Sequence, residues 1–113
     1  ELAELVHDSA VDEPALAVRG DAGPRVLTFE TPGLTIEIET EAQDATGGDT
    51  VRVAGQLIPA QAAQIVLSYG DEMQVTSADE RGRFLAGGVT RGPLSLRCRL
   101  SDTRLVETSA LTI

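Results

Sequence analysis

In "LTIEIETEA", residues 34–42, apolar and polar positions alternate from the start, so Leu34, Ile36 and Ile38 project to one side while Glu37, Glu39 and Glu41 project to the other. That alternation belongs to a strand with one dry and one wet face. The same period of two begins at Arg25 and runs to the end of the chain, predicting strands in "RVLTFE", "LTIEIETEA", "TVRVAGQLI", "AQIVLSY", "MQVTSA", "RFLAG", "LSLRCRL" and "RLVETSALTI". Turn residues separate them: Thr31-Pro32-Gly33, "PAQA", "GDE", "DERG" and Gly92-Pro93 supply fixed or positive φ. Seven or eight short strands at this spacing predict an all-β fold over residues 25–113, an antiparallel β-sandwich of transthyretin-like or immunoglobulin-like type.

The first 24 residues read differently. Leu2, Leu5 and Val6 recur at helical spacing, and Asp12 precedes Pro14 as a capping residue precedes a first helical turn. One or two short helical turns are expected there, making residues 1–24 an N-terminal arm or linker.

Composition narrows the class. A chain of 113 residues is long enough for one core, burying about 65% of its unfolded surface. Phe29, Phe84 and Tyr69 are its only aromatics, so the core is built from branched aliphatics, which suit strands. A net charge of −9 disfavours nucleic-acid phosphates and anionic membranes, and no run approaches the roughly eighteen apolar residues of a membrane span. Lys and Asn are both absent, which points to a GC-rich genome such as an actinobacterium's. The single Cys98 excludes an internal disulfide and mildly favours a reducing compartment, so a cytoplasmic location is expected. Glu1 in first position, with no Met, points to trimming; a lost upstream signal would make the protein an exported one.

Several stretches carry a resemblance. Val53-Ala54-Gly55-Gln56-Leu57, Ala63-Gln64-Ile65-Val66-Leu67, Ala78-Asp79-Glu80-Arg81-Gly82-Arg83-Phe84, Val89 and Gly92-Pro93-Leu94-Ser95-Leu96 together resemble the carboxypeptidase regulatory-like, transthyretin-like β-sandwich family. Asp79, Gly82, Phe84, Gly92 and Leu96 fall on its pattern, whereas Ala78 stands where that family often has Thr and Leu94 where it usually has Tyr. The resemblance covers residues 51–100 and implies a fold, with those five residues as turn and core positions. The whole chain, including "DSAVDEPALAVRG" ahead of "LTFE", also resembles small actinobacterial proteins encoded beside extracytoplasmic-function sigma factors.

Catalytic patterns are missing. The glycines follow no phosphate-loop, dinucleotide or nucleophile-elbow spacing, and His7 with Cys98 offers only a formal couple, Cys98 reading as an inert core thiol. Asp71, Glu72, Asp79 and Glu80 would suit calcium only if two hairpin ends converged, and they lack alternating oxygen ligands. Glu37, Glu39 and Glu41 lack the aromatic platform of a glycosidase. No enzyme, cofactor or metal is expected.

Charge placement is the remaining signal. Residues 1–49 carry twelve acids against Arg19 and Arg25, while the rest is nearly balanced. Glu37, Glu39 and Glu41 stripe one strand and Arg97 and Arg99 another, as solvated faces or a cross-strand ladder; alternatively Glu37, Glu39 and Glu41, together with the acidic N-terminal arm, form a docking surface for a basic protein partner. The expected role is a noncatalytic protein-interaction module, accessory to a signalling or regulatory system. A structural spacer of a longer exported protein comes second, and a small-ligand or carbohydrate-binding sandwich third.

Overall fold

The computed structural model describes residues 1–9, 25–42 and 50–113, and the elements in them are all strands. They are β1 (Leu2–Asp8), β2 (Arg25–Thr31), β3 (Leu34–Ala42), β4 (Thr50–Ile58), β5 (Ala63–Tyr69), β6 (Glu72–Ala78), β7 (Arg83–Thr90), β8 (Pro93–Leu100), β9 (Leu105–Thr108) and β10 (Leu111–Thr112). The chain is an all-β, sandwich-like fold with ten strands among the described residues, where the pattern predicts seven or eight.

One layer runs β1-β2-β3-β4-β7 and the other β6-β5-β8-β9. β1 joins them, because Leu2 and Ala3 pair in parallel with β9 while Glu4 to Asp8 pair antiparallel with β2, the register shifting between Leu5 and His7. Such a bulge lets one strand turn from one sheet into the next.

The N-terminal expectation needs correction: residues 2–8 form a strand, not helical turns. Its inward positions are Ala3, Asp8 and the partly buried Leu5, whereas Leu2 and Val6 are exposed, so the helical spacing of Leu2, Leu5 and Val6 does not mark one buried face. Pairing on both edges overrides local propensity here. The capping reading of Asp12 and Pro14 lies outside the described residues.

Elsewhere the alternation translates directly into burial. Ile36, Ile38, Val53, Ile65, Phe84, Leu94, Leu96 and Cys98 are all buried in one core with Leu27, Phe29, Leu57 and Leu67. Each large aliphatic buried this way contributes about 1.5–3 kcal/mol. The last predicted strand is broken into β9 and β10, which lie end to end along β8. Near that break the Leu96 N–H donates to Thr108 Oγ1 at 2.9 Å, keeping a buried amide satisfied.

Gly87 and Gly88 both lie inside β7. Val53 faces Ala86 and Val51 faces Val89, so the two glycines stand opposite Arg52 alone, with Gly88 at φ +67°. This is a bulge that needs a residue tolerant of the left-handed region.

Candidate functional site

Glu37, Glu39 and Glu41 all leave β3 on the outer side of the β1-β2-β3-β4-β7 layer, but their neighbours differ. Glu41 stands opposite Arg52 on β4, and the two form an ion pair at 2.5 Å. Glu39 stands between Ala54 on β4 and Val26 on β2, and Glu37 between Gln56 and Thr28. Among the described residues neither Glu37 nor Glu39 forms an ion pair.

The small residues beside them leave a depression. An open groove of about 290 Å³ is lined by Val26, Glu37, Glu39, Ala54, Gly55, Gln56 and Arg83. Its floor is open where the outward side chain of β4 is only the Ala54 methyl, and its β7 wall is fixed: Arg83 Nε donates to Gln56 Oε1 at 3.2 Å, while Gln56 Nε2 donates to the Arg81 carbonyl at 2.6 Å. The groove thus presents two carboxylates on one wall and a guanidinium on the other.

Arg97 and Arg99 leave β8 on the outer side of the opposite layer. Arg97 approaches Glu107 of β9 at 3.6 Å. The acidic and basic stripes therefore do not form a ladder with each other. An exposed pair such as Arg52–Glu41 or Arg97–Glu107 contributes about 0–1 kcal/mol.

The five residues carried by the family resemblance occupy turns and core. Asp79 Oδ1 accepts the N–H of Arg81 at 2.9 Å and of Arg83 at 3.1 Å, closing the β6–β7 turn. Those donors, Arg83 first, hold the Asp79 carboxyl below its ordinary range. Gly82 takes φ +78°, and a Cβ there would lie 2.6 Å from the Leu57 carbonyl oxygen, so the turn is pressed against β4. Phe84 and Leu96 are buried, and Gly92 exchanges backbone hydrogen bonds with Ile113 at the start of β8.

The other candidate chemistries separate in space. Asp71 and Glu72 lie at one end of β6 and Asp79 and Glu80 at the other, so the hairpin ends do not converge. Among the described residues no group of three or more His, Cys, Asp or Glu is placed to hold a metal ion. Cys98 is fully buried, and burial pushes its thiol up to about 12. His7 sits half-buried on β1 opposite Thr28.

One feature escaped the sequence. Arg25 Nε and Nη2 reach the Asp8 carboxylate at 2.9 and 2.5 Å, and Nη1 donates to the Thr112 carbonyl at 3.0 Å, tying β1, β2 and β10 together at one end of the sandwich. A charged residue at the inward parity of β2 was its only sequence signal.

No family model, curated protein or solved structure matches this chain. No helix among the described residues is long and apolar enough to cross a membrane.

Proposed function

We propose that this domain is a noncatalytic protein-interaction module that docks a basic segment of a partner on the outer face of β2, β3 and β4. The observation carrying this reading is that Glu37 and Glu39 stand beside an open groove and form no ion pair among the described residues, Arg83 on the far wall being bonded to Gln56, whereas Glu41 is paired with Arg52. Two carboxylates one strand repeat apart, about 7 Å, suit Lys or Arg side chains on alternate positions of an extended chain. Arg83 on the far wall suits a backbone carbonyl of the same segment. The family resemblance supports a noncatalytic role, because its shared positions close turns and fill the core.

A defined probe tests this. A short peptide alternating Arg with Thr should bind the wild type with an affinity that falls as salt rises, and Glu37→Lys/Glu39→Lys should abolish binding while leaving the melting temperature within the small range of surface changes. Equal binding by both proteins removes the proposal.

A further inference from the structure

The two strands at the ends of the sheet order, β6 and β7, are consecutive in the chain and close against each other through side chains. Thr76 Oγ1 donates to the Leu85 carbonyl at 3.2 Å and Gln74 Nε2 to the Gly87 carbonyl at 3.0 Å. These carbonyls of the β7 edge are therefore taken. The β6 edge is different.

Tyr69 and Glu72 close the two-residue turn Gly70-Asp71, which makes them a hydrogen-bonded pair. Alternation along an antiparallel ladder then turns the N–H and C=O groups of Gln74 and Thr76 toward β5 and those of Met73, Val75 and Ser77 toward the free edge. Among the described residues nothing bonds to those edge groups. The same residues point their side chains out of the sandwich, Met73 at 71% and Val75 at 59% exposure. Native edges are usually blunted by Lys, Pro, a bulge or shortness. β6 carries none of these devices, and Met73 to Ala78 contains no charge.

We infer that β6 pairs antiparallel with β6 of a second copy of this chain, about a two-fold axis through Val75. The segment is self-complementary in that register. Val75 meets Val75 of the other copy, Met73 meets Ser77, and Gln74 meets Thr76, while Glu72 falls opposite Ala78, so no like charges face each other. The edge groups of both copies would form about six backbone hydrogen bonds, and the outer apolar surface of Val66, Val75 and Met73 would continue across the axis. Glu37 and Glu39 lie in the other layer, away from this contact. A two-fold, isologous contact is also the commonest way for a chain to close on itself.

The pairing has a salt dependence opposite to that of a basic partner. Each copy carries a net charge of −9, so screening should tighten self-association, where it weakens docking on the acidic face. Sedimentation of the wild type over a range of concentrations should show a monomer–dimer equilibrium that shifts toward dimer from low to moderate salt. Val75→Lys, which places two like charges opposite, should weaken it by about tenfold or more at unchanged melting temperature. Cysteine cross-linking tests the register on an otherwise native chain. A hydrogen-bonded pair holds its Cα atoms about 5.5 Å apart, within disulfide reach, so Val75→Cys should cross-link on oxidation. Met73→Cys alone should not, and Met73→Cys/Ser77→Cys should. A monomer at every concentration and salt, a dimer indifferent to Val75→Lys, or cross-linking by Met73→Cys as efficient as by Val75→Cys would each overturn the inference.

Discussion

The Phe84 ring lies on Gly55: the two residues face each other across β7 and β4, and a Cβ added to Gly55 would lie 2.0 Å from the ring Cζ. The glycine is there to be covered. Its missing side chain lets the aromatic ring sit against the β4 backbone and seal the core between the two layers, where Phe84 is buried.

A mutant cycle measures this relationship. Phe84→Ala should cost about 3–5 kcal/mol and Gly55→Ala about 1–3 kcal/mol as the ring is displaced. The double mutant should lose less than the sum by about 0.5–3 kcal/mol, because the second change removes what the first collides with. Strict additivity in urea unfolding would separate the two residues.

The β6–β7 turn has an acid signature. The N–H groups of Arg83 and Arg81 lower the folded pKa of Asp79, so its contribution is present above the ordinary aspartate range, near about pH 4, and is lost as pH falls through the lowered value. Asp79→Asn keeps an acceptor but no titration, and should flatten the acid-side decline of the melting temperature. Coincident acid profiles for the two proteins would count against the assignment.

Asp8 and Arg25 hold one end of the sandwich. Asp8 is 5% exposed, and replacing it with Ala leaves the guanidinium without its anion. Since a quarter of the Arg25 side chain still meets solvent, the loss should fall below the about 3–5 kcal/mol typical of a fully buried pair. Arg25→Ala/Asp8→Ala should be less harmful than the two single losses combined, as read by thermal unfolding.

Cys98 should be chemically silent in the native state. With the thiol pushed up to about 12 and fully buried, a disulfide reagent at pH 8 should react only as fast as the sandwich opens, and promptly in denaturant. Rapid stoichiometric labelling of the folded protein would show that β8 is less protected than its packing implies.

What was legible in the sequence followed from periodicity. Leu34, Ile36 and Ile38, or Leu94, Leu96 and Cys98, announce their face without any knowledge of neighbours, because a strand alternates regardless of its partners. Register is another matter. That Glu41 meets Arg52 while Glu39 meets Ala54 depends on the β3–β4 alignment, and no local pattern encodes it. β1 carries no legible alternation because its inward positions are Ala3, Leu5 and Asp8 while Leu2 and Val6 face solvent, and the stitching of β6 to β7 by Gln74 and Thr76 depends on two chain-adjacent strands ending in different layers.

A basic segment landing in the groove beside Glu37 and Glu39 would move the backbone amides around it, and their shifts can be mapped during titration with the Arg-Thr peptide. Saturable shifts are expected at Glu37, Glu39, Ala54, Gly55 and Gln56, with β8 and β9 undisturbed. Shifts spread evenly over every acidic residue, or centred on Asp71 and Glu72, would contradict docking in this groove.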